Sequence, residues 1–336
     1  MLSEINVKMA SSTSEDDVLE EGLNGADVTA KLDFSPYYSF LSSPEPSSLE
    51  EKLRAFVTEG FLISENGVYG ITTMGALLFA KSLASFPSLS SKGIRLLRYA
   101  TPSRFSTMGK LDFNSGYMLA YESAVKQILT LIAMPDKFEN GVRVDRYLLP
   151  EIAIREALAN AMIHQDIREG YGPLIELFPD RIEFSNSGSL LVPKDRLIDT
   201  VPVARNRKLA DFLRRVNIGD SSGSGFDKMA YAMELTHLPS PQVNETSGGT
   251  RVVLSFRKTF ADMDTSDRKR SAYDHACLRY LEGQPLTNAS LRERFGLGEE
   301  SKFQISRLLR SLAEEGVLKE VEGNNKNQTT YLPYWA

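Results

Sequence analysis

One stretch constrains this chain more than any other. Leu148 to about Ile167 has helical apolar spacing, with Ile154, Leu158, Ala161 and Met162 on one face. Glu156, Asn160 and His164 recur every four residues and form a polar stripe on another face. Such a stripe is either a solvated helix face or the wall of a site. Alanines at 153, 157, 159 and 161 permit close approach. Asn is a poor helix-interior residue and calls for a reason. A hairpin follows: Leu174–Phe178, the turn Pro179-Asp180, then Arg181–Ser185, leading into Asn186-Ser-Gly-Ser-Leu190. Further on, Gly219-Asp-Ser-Ser-Gly-Ser-Gly225 enters a helix expected from about Phe226 to Thr236. Glycine-rich backbone at a helix start offers N–H groups and a positive dipole end to phosphate. By itself the loop reads more readily as an ordinary flexible connection capped by glycine. No Gly-Lys-Ser/Thr occurs in the sequence, which excludes a P-loop.

Composition narrows the class. The 336 residues suffice for two or three domains. A single cysteine, Cys277, excludes an intrachain disulfide and fits a reducing compartment. The three histidines, His164, His237 and His275, lack metal-ligand spacing, so no zinc site is expected. There is no apolar run long enough to span a membrane and no signal-like start, so a cytoplasmic protein with no membrane partner is expected. The net charge of −5 argues against coating nucleic acid by bulk charge but permits a local basic face.

Along the chain, Ile5–Met9 alternates like a strand with no local partner, then comes the acidic run Ser14–Glu21. Residues 46–81 predict a helix from Ser47 or Ser48 to about Thr58. A stop at Gly60, a hairpin over Glu65-Asn66-Gly67 and a helix from Met74 to Lys81 follow. A strand is expected at 94–100 and a long amphipathic helix at about 115–134. Residues 259–270 lose apolar periodicity and read as a linker.

Several segments together resemble a known family. They are Arg155–Asp166, Asp180–Gly188, Arg205-Asn206 and Gly223-Ser-Gly225. Their order and spacing resemble the RecG-related C-terminal, or divergent ATP-binding, family. Its central domain is similar to the GHKL ATPase fold of gyrase and the histidine kinases. Members usually carry an AlbA-like, Schlafen-type domain upstream. Its closing piece resembles Ile5–Thr13 followed by an acidic helix, which makes the chain a short form or a fragment of such an architecture. The resemblance implies that Glu156 is the base that activates water and that Asn160 binds Mg²⁺ beside the phosphates of ATP. It places Asn186 and Gly188 at the adenine-reading stretch, and Gly223 and Gly225 at the later glycine box. Two departures stand out: Asn186 replaces the usual aspartate, and the glycine box is reduced to Ser222–Gly225. Arg205 and Arg207 are expected either to face phosphates or DNA, or to be solvated.

The C-terminal residues predict a separate unit. Helices are expected at Ser271–Glu282, Thr287–Phe295 and Ser301–Glu315, followed by a hairpin formed by 317–321 and 329–332. That is the winged helix-turn-helix layout. Phe303, Ile305, Leu308, Leu309 and Leu312 are expected to face inward. Ser301, Lys302, Gln304, Ser306, Arg307 and Arg310 are expected outward, where Lys302, Gln304, Ser306, Arg307 and Arg310 suit DNA contact. Residues 268–310 hold nine Lys/Arg against five Asp/Glu, a locally basic stretch.

The expected fold is α+β. It has a truncated AlbA-like end (1–30), a helix–hairpin connecting unit (31–93), a GHKL-like α/β sandwich (94–258), a linker (259–270) and a winged helix (271–336). The expected function is a DNA-binding, transcriptional regulator and homo-oligomer with a degenerate nucleotide site. An ATPase using Glu156 and Asn160, or a protein-interaction scaffold, are the alternatives.

Overall fold

A computed structural model describes residues 14–134, 137–139, 142–144, 147–200, 203–219, 225–256, 258–322 and 329–336. The expected strand Ile5–Met9 and Gly223 lie outside the described residues.

The first elements are β1 (Val18–Leu23), α1 (Gly25–Lys31), α2 (Ser35–Phe40), α3 (Leu49–Thr58), β2 (Leu62–Glu65), β3 (Val68–Thr72) and α4 (Thr73–Phe79). Asn66 and Gly67 both take positive φ, the backbone twist that a two-residue hairpin requires. Strand β3 sits between β1 and β2. The acidic run is therefore split between a single 3-10 turn, Ser14–Asp16, and the start of β1, and is not the continuous helix that the resemblance implied. The open side of β3 supplies a partner, and Glu20 on β1 meets Lys31 at 3.0 Å.

The next elements are β4 (Ile94–Tyr99), β5 (Thr107–Phe113), α5 (Tyr117–Leu131), β6 (Lys137–Glu139), β7 (Val142–Val144) and α6 (Glu151–His164). They are followed by β8 (Leu174–Leu177), β9 (Arg181–Ser187), α7 (Arg207–Arg215), α8 (Gly225–Leu235), β10 (Gln242–Thr246) and β11 (Gly249–Ser255). Six strands form one sheet in the order β10-β11-β9-β8-β4-β5, and only β4 and β8 run parallel. Helix α6 packs on β9 and against α5, α7 and α8, giving a helix layer over a sheet, the α/β sandwich expected. Ile154, Leu158, Ala161 and Met162 are all buried, as the helical spacing requires.

One apolar core runs from Leu23 to Phe256. Tyr37, Phe56, Phe61 and Phe79 pack on one another and on Phe212 of α7, with Phe61 and Phe212 centroids 5.1 Å apart. The connecting unit and the sandwich thus share a core, and residue 93 marks no break in packing.

The last elements are α9 (Thr265–Leu281), α10 (Asn288–Arg294), α11 (Lys302–Glu314), β12 (Leu318–Glu322) and β13 (Thr329–Pro333). They enclose a second core. The stretch read as a linker contributes to it: Phe260 and Met263 are buried, and Asp264 caps α9, which begins six residues earlier than expected. Leu286 pairs with Tyr331, adding an edge to the β12–β13 hairpin. One expectation for α11 fails. Phe303 is 86% exposed, whereas Ile305, Leu309 and Leu312 are buried. Ile305 and Phe303 are two residues apart, about 200° around a helix, so both cannot face the core. Among the described residues no helix is long and apolar enough to cross a membrane.

Candidate functional site

Helix α6 is held at its C-terminal end. At its C-terminus, Asn206 Nδ2 donates to the carbonyls of Ile163 (2.9 Å) and Gln165 (2.8 Å). Arg205 Nε donates to His164 O at 3.2 Å and its Nη2 to Ser189 O at 2.9 Å. The last carbonyls of the helix are thereby satisfied by one dipeptide. Arg205 is therefore a structural clamp rather than a free cation. Behind the helix, Lys92 is 1% exposed and its ammonium donates to the carbonyls of Asp166 (2.7 Å), Glu169 (2.7 Å) and Gly170 (3.3 Å). Burial lowers that ammonium to about 8. Gln165, fully buried, donates to Tyr117 Oη at 2.6 Å.

So fixed, α6 turns its polar stripe into a cavity of about 570 Å³. Glu156, Asn160 and His164 all line it. Asn186, Phe184, Thr250 and Val252 form the floor, from neighbouring β9 and β11. Ser189–Val192, Leu197 and Thr200 make a facing wall, and Arg207, Asp211 and Arg214 of α7 stand at another side. The volume is that of an ordinary small-molecule pocket, mostly apolar with a few convergent polar groups.

The start of α8 closes the remaining side. A Cβ on Gly225 would lie 2.7 Å from Glu156 Oε2 and 3.7 Å from Asn160 Oδ1. Any side chain there would force the Glu156 carboxylate to move aside. The positive end of the α8 dipole thus stands beside the carboxylate and the amide. Gly188, with φ +105°, sits against Arg205 and His164 O and lets β9 turn away. Asn186 is buried, and its Nδ2 donates to Ser187 O at 2.8 Å. Burial, with Arg205 nearby, pushes the His164 imidazole down to about 4, so it is neutral at pH 7.

Glu156, Asn160, Asn186 and Gly225 are therefore gathered at one cavity, with Gly188 just behind its wall. Sequence reading missed Lys92, Thr250, α7 as a wall and the whole 189–200 segment. Arg207 carried a signal, since it follows the Arg205-Asn206 pair. The others show no local pattern, because Lys92 acts on carbonyls far away in sequence and the rest reach the cavity only through the fold. Among the described residues no cluster of His, Cys, Asp and Glu could hold a metal ion by itself.

The second candidate surface is α11. Lys302, Gln304, Arg307 and Arg310 are exposed, but Ser306 is half-buried. Asn288 Nδ2 donates to Ser306 Oγ (2.9 Å) and to Lys302 O (2.9 Å), tying α10 to α11. Ser306 therefore serves this helix contact.

Residues 170–254 match a family model described as "Putative ATP-dependent DNA helicase recG C-terminal". The match supports a RecG-related, divergent ATP-binding domain over that stretch. The match spans β8 to β11 and begins beyond α6. A solved structure, that of the DIP2311 protein from Corynebacterium diphtheriae, is similar in fold. Its TM-score is 0.59 at 16% identity, with 98% of this chain and 66% of that one covered. At that identity the likeness carries the fold alone. No curated protein matches the chain.

Proposed function

We propose that the α6–β9–α8 cavity binds ATP with Mg²⁺, and that the C-terminal unit is a winged helix that binds duplex DNA. On this reading the chain is a nucleotide-responsive, DNA-binding, transcriptional regulator, cytoplasmic and homo-oligomeric. The observation that carries it is the convergence of Glu156, Asn160 and the N-terminus of α8 at one wall of a 570 Å³ cavity. The donor set suits the group: an amide oxygen is a hard ligand for Mg²⁺, and a helix N-terminus favours phosphate. Mg²⁺ would neutralise phosphate charge when bound. Asn160 would hold it and Arg207, exposed at the side of α7, would meet the phosphates. The apolar floor, with Asn186 and Thr250, would take the base.

A second reading is favoured by one observation. Glu156 is only 7% exposed and lies on the same wall as Asn160. A carboxylate there can orient an attacking water, which would make the chain an ATPase. Two substitutions separate the readings by calorimetry and phosphate release. Asn160→Ala is expected to abolish Mg²⁺-dependent ATP binding. Glu156→Gln is expected to keep binding, because the carboxylate would act on the attacking water in the transition state. Phosphate release that disappears in Glu156→Gln supports the ATPase. Binding without release in the wild type supports a sensor. A wild-type chain that binds no nucleotide rules out both.

A further inference from the structure

Two walls of the cavity have a second side, and both second sides are gripped by the C-terminal unit. The segment 189–200 turns Leu190, Leu191, Val192 and Leu197 into the cavity. Its other side is bonded outward. Arg270 Nη1 donates to Lys194 O at 3.0 Å, Tyr273 Oη donates to Asp195 O at 2.5 Å, and Tyr334 Oη donates to the Asp195 carboxylate. The Arg196 guanidinium lies 5.1 Å from the Trp335 ring centroid, and Ile198 is buried in the second core. Trp335 Nε1 in turn donates to Tyr273 Oη at 3.0 Å, so Tyr273 and Trp335 act as one clamp.

Helix α8 is shared in the same way. Its N-terminus stands at Glu156 and Asn160, and Met229 and Met233 pack in the first core. Ala230 packs in the second core, and Glu234 accepts from His275 Nδ1 at 2.8 Å. Phe226 lines the cavity and packs against both cores. Elsewhere the contact between the units is polar: buried Arg294 donates to Leu238 O at 2.7 Å, and Ser240 N donates to Ser271 Oγ at 3.0 Å. These polar contacts add register to the apolar ones that Ile198, Ala230 and Phe226 make across the same boundary.

We infer that docking of the C-terminal unit holds the nucleotide cavity in its binding form, so that cavity occupancy and docking are thermodynamically linked. This rests on the nucleotide reading of the cavity. The physical reason is that a ligand bound between α6, α8 and the 189–200 segment needs those walls in fixed positions. Without the clamp, the segment must be ordered at the expense of binding. Linkage is reciprocal: whatever docking adds to ligand affinity, the ligand adds to docking. The exposed face of α11, with Phe303, Arg307 and Arg310, lies outside this clamp and stays open to a partner while the unit is docked.

Tyr273→Phe and Trp335→Ala break the clamp without touching the cavity lining, and Trp335→Phe keeps a ring over Arg196 as a conservative control. The probe is ATP with Mg²⁺, measured by calorimetry on the full chain, with amide exchange followed at 189–200 and in α9. The expected result is about tenfold weaker ATP binding in Tyr273→Phe/Trp335→Ala, with partial recovery when Phe replaces Ala at 335. Exchange at 189–200 rises in the double variant, and ATP slows exchange in wild-type α9. Equal affinity in wild type and variant would overturn the linkage and leave the nucleotide reading standing. A wild type that binds no ATP would overturn that reading, and the linkage with it.

Discussion

At the scale of single residues, the site depends on Lys92, which never enters the cavity, as well as on the groups that line it. Lys92 gathers three carbonyls behind α6, a cluster of acceptors that would otherwise be buried together. Lys92→Met is expected to lower stability by about 3 kcal/mol, since charged hydrogen bonds are removed and their carbonyls stranded. Urea unfolding measures this, and a drop below about 1 kcal/mol would mean the loop finds other donors. His164 sets a pH dependence. Its folded-state pKa, about 4, lies below the unfolded value of about 6.5. The unfolded chain therefore takes up that proton first. The stability contributed by neutral His164 is complete above pH ~6.5 and declines as pH falls toward 4. His164→Gln should show a shallower decline than wild type between pH ~6.5 and ~4 in parallel urea titrations. Identical slopes would show that His164 titrates normally. His164 could be picked out in the sequence by its place in the stripe. Lys92 could not, because its partners lie more than seventy residues away.

At the scale of elements, helical periodicity located α6 and its apolar face, and the Asn-Gly turn located the first hairpin. The same tool misplaced Phe303 when residue type was allowed to outweigh angle. Phe303→Ala should change folding stability by no more than about 0.5 kcal/mol, as expected for an exposed position. A core-sized drop in thermal unfolding would return Phe303 to the interior. For DNA binding, Arg307→Ala/Arg310→Ala is expected to weaken binding of mixed-sequence duplex. It should also flatten the slope of log affinity against log salt by about 2 units, one for each phosphate no longer neutralised. Unchanged affinity and slope in an anisotropy titration would remove α11 as a DNA-binding helix. The start of α8 gives a sharper test of the cavity. Gly225→Ala brings a Cβ to 2.7 Å from Glu156 Oε2. ATP binding should fall about tenfold or more while global stability changes little, because alanine favours helix. Full retention of binding would show that α8 can shift without consequence. The acidic run near the N-terminus was legible as charge, and the resemblance implied a helix there, whereas its second half is strand β1. The strand identity of Val18–Glu21 comes from pairing with β3, and Glu15, buried in the turn before it, accepts from the N–H of Leu209 at 2.7 Å, a partner far away in sequence.

At the scale of the whole molecule, composition and motif order pointed to an α+β chain with an ATP-binding-like centre, and the sheet order agrees with that class. The expected divisions at 93/94 and 259–270 do not correspond to gaps in packing. The aromatic cluster joins Tyr37 and Phe56 to Phe212, and Phe260 and Met263 enter the C-terminal core. Pairing of distant aromatics leaves no periodic trace, so a sequence shows the pieces more readily than the seams. Whether the cavity takes a nucleotide is settled by thermal unfolding of the full chain with ATP, with and without Mg²⁺. A ligand at about a hundred times its dissociation constant adds about 2.7 kcal/mol to folding stability. A Tm rise of several degrees is expected, one that requires both ATP and Mg²⁺ and vanishes in Asn160→Ala. No rise at millimolar ATP, or an equal rise in Asn160→Ala, would contradict nucleotide binding at this cavity.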